Sequence, residues 1–122
     1  MDKPEVDPHM GPAPTDLEVT DLAVGDGEEA RAGSTVSVHY VGIAHSTGEE
    51  FDASYNRGEP LQFRLGVGQV ISGWDNGVLG MKVGGRRRLV IPAHQAYGDR
   101  GAGGVIGPGE TLIFVVDLVD VR

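Results

Sequence analysis

The chain contains no cysteine, so disulfides, thiolate metal sites and thiol catalysis are all excluded. Aromatics are scarce: three Phe, three Tyr and one Trp in 122 residues. No apolar run approaches the roughly 20 residues that a membrane-spanning helix needs, which makes a soluble protein the expectation. Basic charge is short as well. Ten Lys and Arg face eighteen Asp and Glu, for a net charge of −8. Nine of those acids fall in residues 1–30, where Lys3 is the one base, so the remaining body is balanced. Such a body has no basic footprint for nucleic-acid phosphates. Its one basic run, Arg86-Arg87-Arg88, reads as a solvated strand edge, because successive strand residues alternate faces.

What is abundant is valine and glycine. Leu, Ile, Val and Phe make up about a quarter of the chain, which suffices for a packed core. Half of these are Val, a β-branched residue that favours strands. Twenty Gly imply many tight turns. One domain is expected at this length, without internal repeats. Residues 1–16 carry four of the seven prolines and little to bury, so they are predicted to form a disordered, Pro-rich acidic tail ahead of a domain over 17–122. No cationic start followed by an apolar stretch marks a secretory signal, and the cytoplasm is the default location.

Alternating apolar residues predict strands over Leu17–Val24, Ser34–Ile43, Leu61–Leu65, Arg86–Ile91 and Thr111–Val121, with a short run at Phe51-Asp52. Only Ser72–Met81 reads as helix, from Trp74, Val78 and Met81 at i, i+4 and i+7. Its three glycines mean that packing must hold it in place. The fold class is therefore α+β: about five antiparallel strands against one short α-helix.

Most familiar chemistry is missing. His9, His39, His45 and His94 lack metal-ligand spacing. Gly66-Val67-Gly68 has neither the Gly-Lys-Ser/Thr sequence nor the βαβ unit of a phosphate loop. No Gly-x-Ser-x-Gly elbow presents a serine nucleophile. Function must then be non-covalent catalysis or binding.

The informative feature is a set of aromatics interleaved with one acid. In order, the chain carries Val38-His39-Tyr40-Val41-Gly42, Gly48-Glu49-Glu50-Phe51-Asp52-Ala53-Ser54, Val70-Ile71-Ser72-Gly73-Trp74-Asp75, Gly77-Val78, Ile91-Pro92, Ala96-Tyr97-Gly98 and Thr111-Leu112-Ile113-Phe114. Across residues 17–122 this resembles the FKBP-type (macrolide-binding) peptidyl-prolyl cis-trans isomerases, in a small single-domain form. The resemblance implies a half-wrapped sheet around the helix with a proline pocket between them. Trp74 would be its floor, and Tyr40, Phe51, Val70, Ile71, Ile106 and Phe114 its walls. Asp52 would sit at the rim, held by Tyr40 and Arg57. The Ile71 N–H and the Tyr97 hydroxyl would donate to carbonyls of the bound chain, so Asp52, Ile71 and Tyr97 are the candidate catalytic residues. Leu61, also assigned to the pocket, replaces an aromatic of many relatives and predicts a looser wall. Gln69 replaces an acid. Five glycines among Gly98–Pro108 predict a floppy flap, and no chaperone insertion is visible.

The implied substrates are proline-containing peptides and unfolded proteins, and the implied ligands are tacrolimus- and rapamycin-type macrolides. Neither cofactor nor metal is expected, nor a nucleic-acid or membrane partner, and the protein is expected to be a monomer. The alternative is a non-catalytic module of the same fold that binds a protein partner.

Overall fold

In the computed structural model, residues 3–8, 11–102 and 104–122 are described; His9 lies outside them. Six strands, all paired antiparallel, form one sheet. They are β1 (Glu18–Ala23), β2 (Thr35–Ala44), β3 (Glu50–Ala53), β4 (Leu61–Arg64), β5 (Arg86–Ile91) and β6 (Leu112–Val121). The spatial order is β1-β5-β6-β2-β3, and β4 pairs with the other end of β2. The four-residue β3 raises the strand number above the five that the sequence pattern predicts.

The ten-residue β2 and β6 are the spine, in a register that sets Tyr40 opposite Val116 and Gly42 opposite Phe114. Alternation decides the faces. Val36, Val38 and Tyr40 of β2 join Leu112, Phe114, Val116 and Leu118 of β6 in the main core. Ile113 and Asp117 point to the opposite, outer face, where Ile113 forms a second cluster with Ile43 and Val90.

The helix α1 spans Ser72–Gly77, shorter than the predicted Ser72–Met81. Gly80 takes φ +87°, a backbone state that a helix cannot contain, and its N–H donates to the Ala30 carbonyl at 2.9 Å. The glycines within α1 serve packing. A Cβ on Gly73 would stand 2.4 Å from Ile91 Cγ2, and one on Gly77 2.8 Å from the Leu89 methyls. The bare helix face therefore lies almost on the side chains of β5, which places Trp74 over the core.

Arg86-Arg87-Arg88 does not form the solvated edge expected from sequence. It starts β5, which has β1 on one side and β6 on the other. Arg86 Nε and Nη2 hold Asp117, which is 2% exposed, at 2.6 and 3.0 Å. Arg87 binds Asp21 at 2.7 Å and the carbonyls of Gly77 and Leu79 at 2.9 Å each. Arg86 and Arg87 are taken up by partners within the fold because sheet order, which no local pattern encodes, encloses the strand. No helix of the described residues is long and apolar enough to cross a membrane.

Candidate active site

Between the core face of the sheet and the start of α1 lies a cavity of about 400 Å³. Trp74 projects from the first turn of α1 and is only 4% exposed. Its ring meets Tyr40 edge-on at 4.8 Å, Phe114 at 5.3 Å and Phe63 at 5.7 Å. Phe51 meets Phe114 edge-on at 5.5 Å. The Tyr40, Phe114 and Phe51 contacts are near-perpendicular, a favoured geometry for aromatic rings that adds about 1 kcal/mol per pair beyond burial, whereas Phe63 lies tilted against Trp74. Strands β2, β3 and β6, neighbours in the sheet, thus each supply a ring to one hollow.

Gly42 makes this closeness possible. It pairs with both Phe114 and Asp52 in the sheet. A Cβ there would lie 2.6 Å from Phe51 Cζ and 2.6 Å from Phe114 Cε1. The two rings fill the space a side chain would take.

At the rim, three polar groups close a triangle. The Tyr40 hydroxyl donates to Asp52 Oδ2 at 2.5 Å, Arg57 Nη1 donates to Asp52 Oδ1 at 2.7 Å, and Arg57 Nη2 donates to the Tyr40 oxygen at 2.8 Å. Strand β3 presents Asp52, and the 3₁₀ turn Ser54–Arg57 that follows it brings Arg57 back alongside. Burial by itself would raise the Asp52 carboxyl, but the bonds from Tyr40 and Arg57 outweigh it and hold the group below its ordinary value. Burial, and then the bond to Asp52, push the Tyr40 phenol up. Near neutrality the pair is a fixed carboxylate and a fixed phenol, so it offers charge and direction without a mobile proton.

Support for the triangle comes from a residue that sequence reasoning missed. Ser54 is fully buried; its Oγ accepts the Tyr40 N–H at 2.6 Å and lies 2.9 Å from His39 Nδ1. His39 in turn stacks on Tyr55 at 4.4 Å behind the sheet. A serine in a turn carries no distinguishing signal, since its value lies in the strand it meets fourteen residues away.

The remaining wall comes from the segment between β4 and α1. Asp75 accepts from the N–H groups of Gly66 at 2.8 Å and Gly68 at 3.0 Å, fixing a loop in which both glycines have positive φ. Gln69 accepts the Arg64 N–H at 2.9 Å, so the amide makes the backbone contact despite replacing an acid. Gly68 and Gln69 both line the cavity.

Of the residues singled out in sequence, Tyr40, Phe51, Asp52, Leu61, Val70, Ile71, Trp74, Tyr97 and Phe114 line this cavity. Arg57 acts on it through Asp52. Ile106 is 6% exposed in the same core, bridged to Ala102, but is not among the lining residues. Tyr97 stands at the mouth, 42% exposed, at the head of the flap. Within the flap, Gly101 N–H bonds to the Tyr97 carbonyl at 3.2 Å, Ala102 and Ile106 exchange two bonds, and Gly109 N–H reaches the Gly98 carbonyl at 2.9 Å.

A short helix packed on an antiparallel sheet, enclosing a ring-lined pocket with a pinned carboxylate at its lip, defines a class of isomerase. The family model for FKBP-type peptidyl-prolyl cis-trans isomerases matches residues 26–119. An FK506-binding protein of Streptomyces anulatus is 72% identical over 99% of this chain and 98% of its own length. A probable FK506-binding protein of Corynebacterium glutamicum is 51% identical, covering 98% of each chain. Among solved structures, the crystal structure of AtFKBP13 superposes with a TM-score of 0.81 at 44% identity, over 90% of this chain and 96% of that one. FkpA from Escherichia coli gives 0.78 at 45% identity, over 87% of this chain and 48% of that one. The chain belongs to the FKBP-type peptidyl-prolyl cis-trans isomerase family. Its enzymatic class follows: it rotates X–Pro peptide bonds.

Proposed function

We propose that the prolyl ring of a substrate stacks on Trp74 between Phe51, Tyr40 and Phe114, and that rotation is eased by removing water from the amide. The observation that carries this reading is the 400 Å³ ring-lined cavity with Asp52 tied at its lip. An X–Pro amide is held planar by resonance behind a barrier of about 18–20 kcal/mol. At the half-rotated point the conjugation is broken, the carbonyl oxygen loses negative charge, and the linkage is less polar than the planar form. Water stabilises the planar form, whereas an apolar pocket favours the twisted one. The Ile71 N–H and the Tyr97 hydroxyl donate to flanking carbonyls and hold the chain bent around the ring. Asp52 acts as a fixed charge beside the rotating carbonyl. A millionfold acceleration requires about 8 kcal/mol, which desolvation and positioning share without a nucleophile.

The same hollow would take macrolides of the FK506 class, and the protein would act as a cytoplasmic monomer on unfolded chains. Leu61, smaller than an aromatic, leaves room beside the prolyl site. A large apolar residue before proline then buries more surface than alanine, at roughly 25 cal/mol per Å².

A protease-coupled isomerisation assay on a peptide series tests this. Leu-Pro and Phe-Pro peptides are expected to turn over about tenfold faster than Ala-Pro. Asp52→Ala and Tyr97→Phe are expected to lose about tenfold or more in kcat/KM with the fold retained, and Trp74→Leu to lose rate as well. Equal rates across the peptides remove the preference. Full activity in Asp52→Ala and Tyr97→Phe removes their roles.

A further inference from the structure

Two anchors hold Lys3–Pro8 to the outer face of the sheet. Val6 packs on Ile43, Val90 and Ile113, the apolar cluster on the side away from the pocket. Three residues earlier, Lys3 Nζ lies 3.0 Å from Glu50 Oε1 and donates to Asn56 Oδ1, also at 3.0 Å. Asn56 Nδ2 donates to Glu50 Oε2 at 3.0 Å, which closes a ring of three side chains. Glu50 begins β3 and Asn56 lies in the 3₁₀ turn. The ring therefore clamps the two arms of one bend. Asp52 is two residues after Glu50, and Arg57 is the residue after Asn56. The Asp52–Arg57 contact at 2.7 Å spans the same bend.

We propose that Lys3 is a positioning residue for the Asp52–Arg57 pair, with Lys3–Pro8 acting as a strap that Val6 seats. This rests on the reading of Asp52 as the charge at the pocket lip. Without Lys3, the Glu50 carboxylate would keep only the Asn56 amide, lack a counter-charge beside Asp52 and compete for Arg57, the one cation of the turn. With Lys3 in place, Glu50 is satisfied, the turn is fixed at two points, and Arg57 serves Asp52 alone. The Lys3 bond, the largest influence on Glu50, holds that carboxyl below its ordinary range, consistent with an engaged cation. Composition alone makes residues 1–16 a free tail, and the strap and the free tail give opposite expectations for Lys3.

The test uses the full chain as wild type, Lys3→Ala, Lys3→Arg and Asp52→Ala. It reads kcat/KM on a Leu-Pro peptide, the melting temperature and, where Asp52 is present, the pH midpoint of its carboxyl carbon by NMR. Lys3→Ala is expected to lose about two- to fivefold in kcat/KM, the range of one exposed ion pair. Its Asp52 midpoint should rise with the melting temperature unchanged, and Lys3→Arg should restore both. Wild-type rate and midpoint in Lys3→Ala overturn the strap and leave a free tail. So does a loss that Lys3→Arg fails to rescue and that tracks a lowered melting temperature. If Asp52→Ala keeps full rate while Lys3→Ala still moves the Asp52 midpoint, the strap stands and the catalytic reading of Asp52 falls.

Discussion

Tyr40 and Asp52 move in opposite directions: burial and then their shared hydrogen bond push the phenol up, while the bonds from Tyr40 and Arg57 overcome burial and hold the carboxyl down. The consequence for stability has a definite sign. A carboxyl whose folded value is depressed stabilises the fold above its unfolded value of about 3.9, and loses that contribution as pH falls through the folded value. The side chain of Asp52 is 41% exposed, so solvent screens the pair and its worth stays below about 1 kcal/mol. Asp52→Asn should therefore be slightly less stable than wild type at pH 7, with the gap closing as pH falls below about 4. Urea midpoints of both proteins at pH 7 and pH 3 check this. A gap of the same size at both values would show that the carboxylate charge contributes nothing to the fold.

At the scale of elements, α1 shows how close approach is encoded. Gly73 is buried with Ile91 side-chain atoms at 2.4 to 2.9 Å from where its Cβ would stand. Ile91 is itself fully buried and has nowhere to yield. Gly73→Ala gains about 1 kcal/mol in helix propensity but should lose about 1–3 kcal/mol to overpacking, and more if β5 shifts. The expected result is a net destabilisation and, because Trp74 is the next residue, a weaker hold on proline peptides. Thermal melting and peptide titration of Gly73→Ala measure both, and a more stable variant would refute the packing argument. This element also marks the limit of the sequence. Periodicity located α1, yet it carried the helix on to Met81 because Val78 and Met81 continue the stripe. The end is set by the backbone at Gly80, and one glycine in a pattern does not announce its φ. The pocket was legible for a related reason: Tyr40, Phe51, Trp74, Tyr97 and Phe114 are rare residue types in a fixed order. Ser54, Gly42 and Asp75 were not, since serine, glycine and aspartate are common and theirs are contacts between distant segments.

For the whole molecule, the sheet divides labour between its faces. The side packed against α1 holds the rings and the proposed substrate pocket. The outer side holds a polar cluster in which Asp117 accepts from both Arg86 and the Tyr55 hydroxyl, joining β5, β6 and the 3₁₀ turn. A group buried in this way weighs on stability mainly through its removal. Taking out one partner of a buried pair leaves the other charge unmatched and typically costs about 3–5 kcal/mol. Arg86 retains some exposure, its side chain being 23% accessible, so water relieves part of that cost and about 2–3 kcal/mol is expected for Asp117→Ala. For a domain of this size the melting temperature should fall by roughly 10 °C. Because Asp117 points away from the pocket, kcat/KM measured well below the new melting point should stay within about twofold of wild type. Replacing both partners with apolar residues, Arg86→Met with Asp117→Leu, should recover much of the loss, since no buried charge is then left alone. Circular dichroism melts and the isomerisation assay on the three proteins test this separation of faces. A large fall in kcat/KM for Asp117→Ala at a temperature where the sheet is intact would mean that the outer cluster reaches through β2, by way of His39 and Ser54, to the Tyr40–Asp52–Arg57 triangle at the pocket lip.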